Sequence, residues 1–262
     1  PMSHRFFFFQ LLAILCVVIL GSGLDIMEVD AAQYAGMSRD MVVSGEWLQL
    51  KYRGADYLDK PPLLFWASAC SFQVFGVHDW SYRLPSILFA FLGLFATYRF
   101  ALLYHARDVA LSALLVYGCS VAFFLMCNDV RCDTMLTGAV ITAIWLGCAW
   151  LEQGRWWQSV GMGLALAAGM LAKGPIGLVV PAMAIGAQLA FTRKWYRLQD
   201  PRWAIALAVV VLAMVPMCIG LYKQHGWHGI RFYFWEQSFG RITGENRWKD
   251  DSTVLFFTHE IL

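Results

Sequence analysis

Charge is the scarcest commodity in this 262-residue chain. Asp, Glu, Lys and Arg together make up 15% of the residues, against 59% hydrophobic, and the mean hydropathy is +0.55. A soluble domain carries about a quarter charged residues, so an ordinary water-soluble globule is excluded. There is no basic run: Lys and Arg scatter to the ends of apolar segments, and the formal net charge is only +2. The net charge is uninformative about nucleic acid, and without a basic run no nucleic-acid partner is expected. Short alternating segments are missing, which excludes a transmembrane β-barrel. No internal repeat, low-complexity tract or domain linker is visible. The seven cysteines (16, 70, 119, 127, 132, 148 and 218) lie mostly inside apolar runs and read as small buried residues, not as a disulfide framework. Cys127 and Cys132 bracket a polar turn and are the one pair to consider for a bridge.

What is present is a series of apolar runs, each near the roughly 20 residues that cross a bilayer. The fold class is therefore all-α: a polytopic transmembrane helical bundle. Spans are expected at about 6–24, 84–104, 109–126, 134–151, 156–172, 175–192 and 203–222. The first run has Arg5 ahead of it and resembles a signal peptide, but further spans follow, so it reads as an uncleaved helix. Residues 30–43 read as an amphipathic helix lying in the interface plane. Ala31, Tyr34, Ala35, Met41 and Val42 share one side, Gln33, Arg39 and Asp40 take the other, and Asp30 stands at the N-cap. The apolar stretch 62–77 opens with two prolines and is short for a span, which suggests a re-entrant or surface helix. Residues 223–251 read as a second polar loop. A new apolar run near Leu262 suggests that the transmembrane module, here residues 1–262, continues past that residue.

Orientation follows from Lys and Arg in short loops. The most basic turn, Arg193-Lys194-Trp195-Tyr196-Arg197, is assigned to the cytoplasm. Counting back, the N-terminus lies inside as well, provided that 62–77 does not cross. The first outer loop is then 25–83. Four polar stretches, 24–60, 128–133, 173–175 and 225–251, gather on one outer face.

The stretch Leu24–Lys60 carries five Asp and two Glu against two Arg and two Lys, in a chain otherwise suited to hydrocarbon. Membrane-edge charges are costly and are usually paired or functional. The outer face collects Asp30, Asp59, Asp129 and Asp133 as carboxylates and Lys60, Lys173, Arg231 and Arg241 as cations. A carboxylate can take a proton, and a Lys/Arg cluster can hold and stabilise a phosphate. Together they suggest transfer of a group from a membrane-bound phosphate. Each residue also has a plainer role: Asp30 as a helix cap, Lys60 as a snorkelling interface lysine, and Asp129 and Asp133 as an i,i+4 pair at one helix start. Carboxylates suit a hard divalent ion, but no His-rich or compact acidic spacing demands one. No cofactor is assigned, and a divalent metal stays open.

A resemblance sharpens this reading. Asp30-Ala31-Ala32-Gln33-Tyr34-Ala35, the Gly45-Glu46-Trp47 step, Tyr57-Leu58-Asp59-Lys60-Pro61-Pro62-Leu63, Phe75-Gly76 and Arg83-Leu84-Pro85-Ser86 occur in an order that resembles the polyprenyl-phosphate-dependent GT-C glycosyltransferases. The similarity is to the bacterial group related to lipid A 4-amino-4-deoxy-L-arabinose transferase and to dolichyl-phosphate-mannose protein mannosyltransferases. Asp129, Asp133 and Leu136, the Leu171-Ala172-Lys173-Gly174-Pro175 turn, and Phe234-Trp235-Glu236 followed by Arg241 also match.

The resemblance implies an inverting membrane glycosyltransferase of the bacterial inner membrane, with its active site facing the periplasm. Its donor would be a polyprenyl-phosphate sugar and its acceptor a lipid, glycan or protein, as in lipid A modification or protein glycosylation. It implies catalytic roles for Asp30, Asp133 and Asp59, and a donor-phosphate site made of Lys60, Lys173 and Arg241. Asp129 and Tyr34 fall on the acceptor or second-loop side. Ala31 stands where many members carry Glu. The rival reading is a polytopic transporter or flippase for a lipid-linked or small polar substrate. Transporters, however, place charge near the midplane and often show inverted repeats, whereas charge here collects at one face.

Overall fold

The computed structural model describes residues 4–26 and 28–237. It is an all-α membrane bundle. Helices α1 (His4–Ser22) and α2 (Val29–Ser44) are followed by a tiny hairpin, β1 (Lys51–Tyr52) paired with β2 (Ala55–Asp56). Then come α3 (Leu63–Phe75), α4 (Asp79–Ala101), α5 (Arg107–Gly118), α6 (Val121–Asn128), α7 (Cys132–Gln153), α8 (Trp156–Lys173), α9 (Ile176–Thr192) and α10 (Arg202–Arg231). Among the described residues three helices are long and apolar enough to cross a membrane alone: α4, α7, and α10 with the π turn that follows it. The bent pair α5–α6 makes a fourth if it counts as one span.

Helix α7 is the axis of the bundle, packed against α4, α8 and α9. Its Trp150, Met135 and Ala143 are fully buried. Small residues let neighbours approach closely, as is usual between membrane helices. A methyl on Gly138 would collide with the Phe89 backbone, and one on Gly177 with the backbone of Gly169, which fixes the α4–α7 and α8–α9 crossings.

Three local features differ from expectation. The run 109–126 is two helices bent by 54°, because Ser120 leaves the helix and caps α6 by accepting the Phe123 N–H at 3.2 Å. Residues 223–236 are not a loop: α10 runs on to Arg231, interrupted only at Gly226 (φ 61°), and a π turn spans Phe232–Glu236. Apolar and aromatic residues such as Gly229 and Tyr233, both buried, keep this stretch against the bundle. Finally, α2 begins one residue earlier than Asp30. Glu28 is the cap, its carboxylate accepting the Ala31 N–H at 2.7 Å, so Asp30 sits inside the first turn.

Helix α3 is a short apolar helix. Its 13 residues rise about 20 Å, short of the hydrocarbon thickness. It buries Leu64, Phe65, Ala69 and Phe72 against α2 and α4. Pro85 in α4 cannot donate to the carbonyl of Ser81. The Ser71 hydroxyl of α3 donates to that carbonyl instead, at 2.6 Å. The platform α2–α3 is thereby stitched to the start of α4.

Candidate active site

Chain direction brings six helix ends to one rim. α1, α6 and α8 end there, and α2, α4 and α7 begin there. The buried Arg83 at the start of α4 organises it. Its guanidinium donates to the carbonyls of Asn128 (2.9 Å), Leu24 (2.5 Å), Ser22 (3.3 Å) and Asp25 (3.3 Å). One side chain thus ties the ends of α1 and α6 to α4.

On this frame the rim charges pair. Antiparallel packing sets Asp133, in the first turn of α7, against Lys173, in the last turn of α8, and the two form an ion pair. Each also suits its helix dipole, acid at the N-terminus and base at the C-terminus. Asp59 and Lys60, just before the two prolines, pair at 2.9 Å. Arg131 bridges Asp129 (2.5 Å) and Glu28 (3.7 Å), linking the α6–α7 turn to the cap of α2. The hydrogen bond and charge of Asp129 hold the Arg131 guanidinium above its ordinary basicity.

Between these pairs lie two phenols. The hydroxyls of Tyr34 and Tyr57 lie within electrostatic reach of each other. Burial first, and neighbouring acidic groups second, push both upward, so both stay neutral proton donors. Tyr34 is within electrostatic reach of Asp30 and Asp59, while the buried Cys132 beneath lies within reach of Lys60, Asp133 and Lys173. Lys60 and Lys173 therefore both lie within electrostatic reach of Cys132. Asp30 is exposed and makes no hydrogen bond or ion pair to a described residue, although it faces Tyr34 and Arg131. A cleft alongside, bounded by Tyr57, Lys60, Trp66, Leu221, Tyr233 and Gln237, has about 20 Å³ of free space, room for a single water.

Of the residues singled out from sequence, the rim brings together Asp30, Tyr34, Asp59, Lys60, Asp129, Asp133 and Lys173. Arg241 lies outside the described residues. Arg231 turns to Glu236 (3.5 Å) and is well exposed. Asp129 and Asp133 are not on one helix face. Asp129 is extended (φ −93°, ψ 96°) beyond the end of α6, and only Asp133 is helical, so each serves a different cation. Sequence reasoning missed Glu28, Arg131, Tyr57 and Arg83 as organisers. Glu28 precedes Asp30 by two residues and Arg131 lies between the two aspartates, so proximity in sequence was the available signal. Among the described residues no three of His, Cys, Asp or Glu converge as metal ligands. Cys127 and Cys132 are both free.

Chemically, the rim offers part-exposed cations able to donate to phosphate oxygens and an unengaged carboxylate able to take a proton. Comparison with known proteins points the same way. Residues 59–219 match the family model described as dolichyl-phosphate-mannose-protein mannosyltransferase. Similar curated proteins are undecaprenyl phosphate-alpha-4-amino-4-deoxy-L-arabinose arabinosyl transferases. The protein of Aeromonas hydrophila subsp. hydrophila is 28% identical over 83% of this chain and 40% of its own length. That of Edwardsiella ictaluri is 25% identical over 92% of this chain and 44% of its own length. The chain thus spans under half the length of these relatives.

The fold is similar to that of ArnT from Cupriavidus metallidurans. The apo structure gives a TM-score of 0.80 at 19% identity, over 97% of this chain and 47% of that one. The structure bound to undecaprenyl phosphate gives 0.84 at 20%, over 99% and 48%. The family match covers well over half of the residues, includes Asp59, Lys60, Asp129, Asp133 and Lys173, and agrees with an all-α membrane bundle, so the chain belongs to the dolichyl-phosphate-mannose-protein mannosyltransferase family.

Proposed function

We propose that this chain carries the site of an integral membrane glycosyltransferase that moves a sugar from a polyprenyl phosphate to a lipid, glycan or protein acceptor. It would reside in a bacterial inner membrane with the charged rim on the periplasmic side. The observation that carries the reading is that Lys60 and Lys173, each paired with an acid, both lie within electrostatic reach of Cys132, beside the unengaged Asp30. Family membership and the donor named for the similar arabinosyl transferases support the choice of donor.

In this reading the acceptor oxygen attacks the anomeric carbon from the face opposite the phosphate. The new carbon–oxygen bond forms as the bond to phosphate breaks, and the electron pair leaves with the phosphate, so the centre inverts. The acceptor's proton passes to Asp30. Lys60 and Lys173, with Arg241 as the third cation suggested by the motif, neutralise the departing phosphate. Asp59 and Asp133 hold the two lysines in place, while Asp129, through Arg131, and Tyr34 order the α2 side of the site.

The test is transfer of radiolabelled sugar from undecaprenyl phosphate by the full chain in nanodiscs. Asp30→Asn is expected to lower turnover by about 10²–10⁴-fold, the usual contribution of a general base, with helicity unchanged. Normal turnover in that variant refutes the base assignment. Passage of unchanged donor across the bilayer, without transfer, refutes the enzyme reading in favour of a carrier.

A further inference from the structure

A second cavity of about 560 Å³ opens on the same rim, within the roughly 300–1,000 Å³ of small-molecule sites. Helix α2 is the wall between it and the charged centre. At 100° per residue, Tyr34, Met37 and Met41 fall on the buried stripe facing the bundle, whereas Gly36 and Arg39 fall on the stripe that lines the cavity. The opposite wall comes from the end of α3 and the start of α4, with Phe72, His78, Asp79 and Trp80. The His78 and Trp80 rings are parallel within 8°, with centroids 6.1 Å apart, and Trp80 is 43% exposed. Among the described residues Arg39 pairs only with its sequence neighbour Asp40, at 3.1 Å, and both side chains are solvent-accessible. Nothing lies within 4 Å of where a side chain on Gly36 would begin.

An exposed tryptophan ring beside one guanidinium and one carboxylate is a specific chemistry. A lipid tail has no use for Arg39 and Asp79, and a bare phosphate would be repelled by Asp79. A sugar ring satisfies all three: its C–H face lies on the aromatic surface, and its hydroxyls both donate to Asp79 and accept from Arg39. We propose that this cavity binds a saccharide, the carbohydrate portion of the acceptor. The acceptor assignment rests on the glycosyltransfer reading; the binding itself does not.

The experiment measures binding of maltose, lactose and chitobiose to the full chain in phosphatidylcholine nanodiscs by saturation-transfer NMR. Each disaccharide is offered free and as a lipid-anchored glycoside. At least one is expected to bind. Gly36→Leu, which fills the cavity while favouring the helix, and Trp80→Ala should each weaken binding at least tenfold. Lys60→Ala should leave it unchanged. Binding of the anchored form alone assigns a glycolipid, and binding of both forms assigns a soluble glycan; either supports the proposal. Failure of all three disaccharides in both forms, or equal binding by Gly36→Leu, overturns it. If binding behaves as expected while no radiolabelled sugar is transferred, the transfer reading falls and the saccharide cavity stands.

Discussion

Replacing Arg83 by Met should unfasten the rim from beneath. Arg83 is 3% exposed and gives four hydrogen bonds to backbone carbonyls on two other segments. Charge-assisted bonds contribute about 1.5–3 kcal/mol each, but they do not simply add. The contacts to Ser22 and Asp25 are long, and the exposed Leu24 and Asp25 can turn their carbonyls to water. Removing the fork is therefore expected to cost about 3–5 kcal/mol, the range for breaking a buried charged network. For a chain of this size that corresponds to roughly 6–20 °C in melting temperature. Arg83→Lys keeps the charge but loses the planar fork, and should fall about midway. The assay is thermal unfolding of the nanodisc-embedded chain, read by retained monomer on size exclusion. Arg39→Met, an exposed control, should shift the midpoint by no more than about 2 °C. If Arg83→Met also melts within about 2 °C of the parent, the structural role argued for Arg83 is wrong.

Three further outcomes follow from the paired charges. Asp133 and Lys173 are each 41% exposed, so Lys173→Ala should change stability by no more than about 1 kcal/mol while raising the donor KM or lowering kcat. The charge-swapped double variant, Asp133→Lys with Lys173→Asp, should match the parent in stability and still fail in transfer. Full activity in the swap would dissociate Lys173 from the phosphate. At the opposite rim, hydrogen bonds from Arg202 hold the Asp200 carboxyl down at about 2, against an ordinary 3.8. A depressed acid contributes stability that is complete above its unfolded value and disappears as pH falls through the folded one. Acid unfolding between about pH 4 and 2 should therefore be less steep in Asp200→Asn, by on the order of 1 kcal/mol after solvent screening. An identical acid transition in that variant refutes the clamp.

The fold class was legible because lipid imposes a simple rule: long apolar runs must be helices. The breaks were not, because apolar composition conceals them. Residues 109–126 look uniform until Ser120 captures the Phe123 N–H and starts a new helix. Residues 223–236 look like loop because charge and aromatics are mixed there, yet burial of Gly229 and Tyr233 keeps them helical. At the site, Lys173 and Asp133 stood out individually as charges at the ends of apolar runs. Their contact depends on α7 and α8 lying antiparallel with matched ends, which no local pattern states. Glu28 was hidden by Asp30, the more conspicuous acid, although a carboxylate two residues earlier reaches the Ala31 N–H better. Arg83 was visible only as part of a motif. That a buried arginine would spend its donors on carbonyls rather than on a substrate is a tertiary fact.

Among the described residues the rim contains more carboxylates than cations: Glu28, Asp30, Asp59, Asp129 and Asp133 against Lys60, Arg83, Arg131 and Lys173. A plain phosphate trap would carry the opposite excess. On the proposed reading the carboxylates therefore do a different job from holding the donor. Each lysine is kept at the centre by an acid of its own, and these pairs are part-exposed and weak. A phosphate dianion can replace such an acid as the lysine's partner without a large desolvation cost. Arg131 is equally part-exposed but is shared by two acids, Asp129 and Glu28 at the α2 cap, so losing one partner leaves it tied to the protein. Exchangeable lysines and an arginine shared by two acids fit the anchoring of α2, which presents Asp30, to the α6–α7 turn and not to the lysines.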